Sequence, residues 1–251
     1  MPHRQEIRVF PDLPALSRAA ASEFVERSRE AIRDRDRFAV VLSGGSTPKT
    51  LYELLGKDPG IKGAVEWERV HFFFSDERHV PPDHPDSNYG MATRALFASI
   101  AAPPANIHRF LTEQGDAAGA AASYERMLRE FFHLEAGGFP RFDLIFLGLG
   151  AEAHTASLFP GGEALREAQK LAVAAWVPSV AAWRITLTVP VLNSAQEVIF
   201  LVSGTAKAQA LQEVLEGTFE PNRWPAQAVK PEQGRLIFLA DEEAARWLSR
   251  A

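Results

Sequence analysis

The chain contains no cysteine. Disulfides, thiolate catalysis and cysteine-held zinc or iron–sulfur centres are therefore excluded. No stretch approaches 18 uninterrupted apolar residues, and the opening MPHRQEIRVF has no apolar run of the signal-peptide kind. A soluble, cytoplasmic protein without membrane contact is expected. Positive charge is not in excess either: 27 basic against 32 acidic side chains leave a formal charge of −5. That balance gives no general attraction to nucleic acid, although a local basic pocket for a small anion stays open. Internal repeats and low-complexity linkers are missing, as is a G-x-S-x-G nucleophile elbow. His79, Asp83 and His84 in HVPPDH match no compact zinc pattern, so neither a metal nor a cofactor is expected.

What the sequence does have is a series of short apolar blocks. They fall at 37–45, 69–77, 142–150, 171–178, 184–192, 197–204 and 235–240, with EIRVF near the start. Several are continuously apolar, the pattern of parallel strands covered on both faces. RITLTVP alternates and reads as an edge or half-exposed strand. Helical patterns lie between the blocks, at 14–33, 116–134, 205–215 and 241–248. Two shorter helices start at Pro48, with Thr47 as N-cap, and after Ser87. The expected fold is α/β, an open, mostly parallel sheet with helices on both faces, and residues 1–251 are expected to form one domain.

Ligands of such sheets bind beyond the carboxyl ends of the strands. SGGSTP, at 43–48, follows the first long block and places Gly44, Gly45, Ser46 and Thr47 at a helix start. Free N–H groups and hydroxyls there can hold phosphate; a tight turn with an ordinary cap explains the same residues. SDERHVP, at 75–81, offers Asp76, Glu77 and Arg78, either for a ligand or as an internal ion network pinning the proline loop. Arg184 and Lys207 are further cations for an anionic ligand, and each reads equally as a surface residue. In GLGAEAHT, at 148–155, His154 is the candidate base, because an imidazole can take a proton from attacking water near neutral pH. Glu152 can fix its tautomer only if the loop turns back. The residues after His154 favour a helix, whose N–H groups would then face an anion.

Taken in order, SGGSTP, FFSDERHVPPDHPDSNYG (73–90), FLGLGAEAHTASLFPG (146–161), RITLT (184–188) and SGTAK (203–207) resemble the 6-phosphogluconolactonase family, a relative of the glucosamine-6-phosphate deaminases. The likeness runs through almost the whole chain. It implies metal-free hydrolysis of a phosphorylated sugar lactone, 6-phosphogluconolactone, to 6-phosphogluconate in the oxidative pentose phosphate pathway. No obligate protein partner is implied. His154 would be the general base, while Gly44, Gly45, Ser46, Thr47, Arg78, Arg184 and Lys207 fall where substrate or its phosphate binds. Asp76 falls where the deaminases use an acidic proton-transfer group, and in a lactonase it would position substrate or shape the pocket.

Two other readings share these motifs. A glucosamine-6-phosphate deaminase or aldose–ketose isomerase would tend to carry tyrosine after the DE pair and a segment like HIAFNEP; this chain has Arg78 and HTASLFP. A non-catalytic sugar-phosphate-binding protein would bind without turnover. One departure from the family pattern is specific: its usual GEDGHTASLFP has an acid–glycine pair where this chain has Glu152 and Ala153. Glu152 keeps a carboxylate but reaches one methylene further, and the methyl group of Ala153 makes any left-handed turn there costly.

Overall fold

The computed structural model describes residues 4–249. Six strands form one sheet: β1 (Arg4–Phe10), β2 (Phe38–Leu42), β3 (Val70–Phe74), β5 (Leu144–Gly148), β8 (Glu197–Val202) and β9 (Arg235–Asp241). Their order is β1-β9-β8-β5-β2-β3, and every neighbouring pair is parallel. All five residues of β2 and all six of β8 are buried. Helices cover both faces, which is why these strands show no alternation. Phe24, Phe38, Phe72, Phe73, Phe146, Phe200 and Phe238 fill the space between layers.

The first helix, α1 (Leu13–Arg35), extends the 14–33 expected from periodicity by a residue or two at each end. Asp12 caps it by accepting from the Ala15 N–H at 2.8 Å. At the other end Asp36 takes a left-handed conformation, φ 61°, and closes the last turn on the Ile32 carbonyl. The next helix, α2 (Ser46–Lys57), begins two residues before the expected Pro48, and its N-cap is Gly45 rather than Thr47. Gly45 has φ 108°, a conformation open to glycine, so the turn tightens before a threonine cap can form.

A second sheet was not anticipated. It is antiparallel, in the order β4-β7-β6, from β4 (Asp76–Arg78), β6 (Ala172–Val177) and β7 (Ala182–Leu187). SDER is therefore not a strand exit leading straight into a loop. Ser75 is the pivot: its N–H donates to Leu42 of the parallel sheet, and its carbonyl accepts from Leu187 of the second sheet, both at 2.8 Å. RITLTVPVL, expected to be one strand, stops at Leu187 and turns into the short helix Val189–Asn193. Pro190 has no N–H for a ladder but fits the first turn of a helix.

The chain leaves β2 for one edge of the large sheet, at β3, and leaves β5 in the opposite direction, through β8 to β9, which lies beside the β1 edge. β2 and β5 lie side by side, paired at Val40↔Leu144 and Val41↔Ile145. The crevice past their carboxyl ends is thus a topological switch point.

Candidate active site

A cleft of about 170 Å³ opens at that switch point. The β2 exit contributes Ser43 to Pro48, β4 contributes Asp76 and Arg78, and the β5 exit contributes Gly148 to Gly150 and His154 to Ala156. Asn88, Ser203 and Lys207 complete its polar lining. Gly44, Gly45, Ser46, Thr47, Asp76, Arg78, His154 and Lys207 therefore share one cavity, although they lie up to 163 positions apart in sequence (207 − 44).

The floor is built around Ser43. Its N–H donates to the Tyr52 hydroxyl and its carbonyl accepts from that hydroxyl, each at 2.9 Å. Its own hydroxyl donates to the Phe146 carbonyl at 2.7 Å, stitching the β2 exit to β5. Burial keeps the Tyr52 phenol protonated far above its ordinary range, so it is a structural strut. Beyond Ser43, no side chain caps the N-terminus of α2. The first-turn N–H groups are left to meet a ligand, and the helix dipole favours an anion there.

Gly44 is glycine for a steric reason. A Cβ there would sit 2.0 Å from Oδ1 of Asn88, whose side chain occupies the vacated space. Asn88 Nδ2 donates to the Asp76 carbonyl at 2.9 Å and to Asp76 Oδ1 at 3.3 Å.

The acid pair divides its labour. Glu77 accepts from the Arg78, Asn88 and Tyr89 N–H groups and from the Ser87 hydroxyl, all between 2.7 and 3.0 Å. Burial holds its carboxyl above the usual range, and those backbone donors offset only part of that rise. Glu77 is thus consumed in anchoring the helix Asn88–Ala95 through backbone N–H groups and a serine hydroxyl, not through the acid–arginine ion network expected for SDER. Asp76 and Arg78 instead face the cleft. Arg78 donates to the Asp86 carbonyl at 2.6 Å and lies opposite Arg184 in the β4–β7 register. Arg184 is half-buried outside the cleft lining, and burial, then the charge of Arg78, hold its guanidinium below its usual range. Two like charges directly opposite on adjacent strands repel.

His154 does not start a helix, contrary to expectation. Residues 150–158 form two tight turns, closed by Gly150 N–H to His154 O at 2.8 Å and Leu158 N–H to Thr155 O at 2.9 Å. Left-handed residues drive both: Ala153 has φ 59° and Ala156 has φ 48°. The conformation that the sequence marks as costly for alanine is therefore the one adopted. It is held by hydrogen bonds from the Ala153 N–H to Gly150 O and from the Ala226 N–H to Ala153 O, both 3.0 Å. The imidazole stacks on Phe159 with ring centroids 4.3 Å apart.

The loop does turn back, bringing Glu152 Oε1 within 3.1 Å of His154 Nδ1. The pair is misaligned, however, and buried Nδ1 has no hydrogen-bond partner. Glu152 itself is exposed and lines a neighbouring groove with Phe159, Trp176 and Trp183.

The family model of glucosamine-6-phosphate isomerases and 6-phosphogluconolactonases matches residues 11–238. The chain belongs to the 6-phosphogluconolactonase family. It is 44% identical over 218 residues to the 6-phosphogluconolactonase of Synechocystis sp., covering 87% of this chain and 88% of that one. Identity to the 6-phosphogluconolactonase of Nostoc sp. is 39% over 246 residues, 98% of this chain and 99% of the other. The fold superposes on the 6-phosphogluconolactonase from Trypanosoma cruzi with a TM-score of 0.86 at 30% identity, over 100% of this chain and 99% of that one.

Several buried polar residues in and behind the cleft carried little signal in the sequence. Asn88, Ser157 and Thr155 are nearly fully buried, and Thr155 donates to the Gly148 carbonyl at 2.9 Å. Their only signal was position: a second polar residue behind the Ser87 cap, and hydroxyls immediately after the histidine.

Proposed function

We propose that the chain hydrolyses 6-phospho-D-glucono-1,5-lactone to 6-phosphogluconate, as the lactonase step of the oxidative pentose phosphate pathway, with His154 as the general base. One observation carries this reading: His154 shares its cleft with the uncapped N-terminus of α2 and with Arg78 and Lys207. A base thus sits beside a platform for a phosphate, and no nucleophilic cysteine exists in the chain. A lactone is an activated ester, so a base that activates water suffices without a covalent intermediate.

In this reading Ser46, Thr47 and the N–H groups of the α2 start hold the phosphate, with Gly44 and Gly45 allowing its close approach. Arg78 and Lys207 add charge. Arg184 joins from behind Arg78, where an anion relieves the repulsion of the two guanidinium groups. Asp76 accepts from a ring hydroxyl. Anchoring the phosphate holds C1 near the imidazole, which is the orientation effect on which such a site depends. His154 takes a proton from water as it attacks C1, and the tetrahedral oxyanion meets N–H groups of the glycine-rich exits. The C1–ring oxygen bond then breaks, and the departing oxygen receives the proton. Glu152, realigned on Nδ1, selects the tautomer that leaves Nε2 basic.

A cytoplasmic site of action belongs to the same proposal, supported by a phosphorylated, membrane-impermeant substrate. The test is loss of freshly prepared lactone above its spontaneous rate. Release of ammonia from glucosamine 6-phosphate, or binding without turnover, would select one of the two competing readings instead.

A further inference from the structure

Three chain segments converge on the carboxylate of Asp76, which is 6% exposed. The Ser157 hydroxyl donates to Oδ2 at 2.6 Å across 81 positions of sequence. Ser75 Oγ lies 3.1 Å and Asn88 Nδ2 3.3 Å from Oδ1. These donors are not equivalent. The single proton of Ser75 has a second acceptor in Ser43 Oγ at 2.9 Å, while the Asn88 amide makes its shorter bond to the Asp76 carbonyl. Ser157 gives the short, charge-assisted bond, the strong kind for an ionised acceptor.

Ser157 is itself fixed. Its N–H donates to Thr186 Oγ1 at 3.2 Å, and the Thr186 hydroxyl donates onward to the Leu187 carbonyl at 2.9 Å. Thr186 is the β7 residue that pairs with Asp76 in the register of the second sheet. Ser157 also lies three positions after His154, in the loop closed by the two turns described above. Its hydroxyl is therefore the side-chain link from the histidine-bearing loop to the Asp76 carboxylate.

We propose that Ser157 is a positioning residue, holding the Asp76 carboxylate in the orientation that receives the sugar ring and thereby setting the ring relative to His154. This rests on the reading that Asp76 touches substrate. The hydroxyl acts through Asp76, so its removal costs nothing further once Asp76 can no longer act as a carboxylate.

A double-mutant cycle tests it, with Ser157→Ala, Asp76→Ala and the pair, read first as Kd for 6-phosphogluconate by calorimetry so that variants without turnover still report. Ser157→Ala is expected to weaken binding about 10-fold in the wild-type background and less than about twofold in the Asp76→Ala background. Steady-state kinetics of Ser157→Ala should show the loss chiefly in KM. If Ser157→Ala is not recovered folded, Ser157→Cys fills the same space and replaces the hydroxyl by a weak donor. Equal losses in both backgrounds, or a fall in kcat alone with unchanged Kd, would overturn the positioning role. A wild-type protein that binds 6-phosphogluconate but leaves the lactone untouched would instead defeat the functional reading, with the cycle still deciding the role of Ser157.

Discussion

Gly150→Ala probes the geometry of the base with one methyl group. A Cβ at Gly150 would lie 2.1 Å from Nδ1, 2.3 Å from Cε1 and 2.8 Å from Cγ of His154. Ordinary contact between such atoms is about 3.5 Å, so the ring must retreat by more than about 1 Å. Backbone strain does not confuse the result, because Gly150 is not among the residues with positive φ. The displaced ring also gives up its stacking on Phe159, worth about 0.5–1.5 kcal/mol, which bounds the expected loss of stability. Misplacement of a catalytic group by about 1 Å costs on the order of 100-fold in rate. Gly150→Ala should therefore lower kcat by about two orders of magnitude while the urea midpoint shifts only slightly. Lactone hydrolysis followed by acid release, beside an unfolding curve for the same preparation, reads both. A folded variant with kcat near that of the wild type would refute the placement of the base against Gly150.

Other outcomes follow from the same structure. His71 Nδ1 and His108 Nε2 are 3.2 Å apart on the β3 side, with rings stacked among Phe73 and Phe131 and with Arg37 over Phe131. Burial, then the neighbouring His71, pushes His108 down to about 4; burial, then Arg37, lowers His71. The folded state therefore favours neutral rings. Their contribution to stability is complete above about pH 6.5, the unfolded value, and falls as the pH drops towards 4. With solvent screening of these partly exposed rings, urea curves at pH 7 and 4.5 should show the wild type losing about 1–2 kcal/mol more than His108→Gln; equal losses would exclude the pair as an acid-labile point. Lys207→Ala and Arg184→Ala should raise KM for the phosphorylated lactone about 10-fold or more and leave the slow hydrolysis of unphosphorylated gluconolactone unchanged. A parallel change on both substrates would remove them from phosphate recognition.

The large sheet was legible because β2, β5 and β8 are buried on both faces and appear as unbroken apolar runs. The second sheet was not. β4 is three residues of charge, Asp76 to Arg78, and it is a strand only because β7, over 100 positions later, pairs with it. No local pattern carries that information. The site divides the same way. SGGSTP and His154 stood out because glycines, hydroxyls and an imidazole recur at several strand ends of one chain, where each alone could be an ordinary turn or cap. The parting of Glu77 from Asp76 depends on backbone N–H groups ten or more positions away, and the tolerance of a left-handed Ala153 depends on a bond from Ala226. Ser157 escaped notice because a buried serine has no signature until its acceptor is known.

In the proposed reaction this chain opens a phosphorylated sugar lactone using His154. The direct measurement is the rate of 6-phosphogluconolactone loss at neutral pH with wild-type protein and with His154→Ala, each shown to be folded and each corrected for spontaneous hydrolysis. The wild type should accelerate the loss strongly, and His154→Ala should have a kcat lower by at least about 100-fold with 6-phosphogluconate binding retained. A His154→Ala protein that hydrolyses the lactone as fast as the wild type would contradict this role of His154.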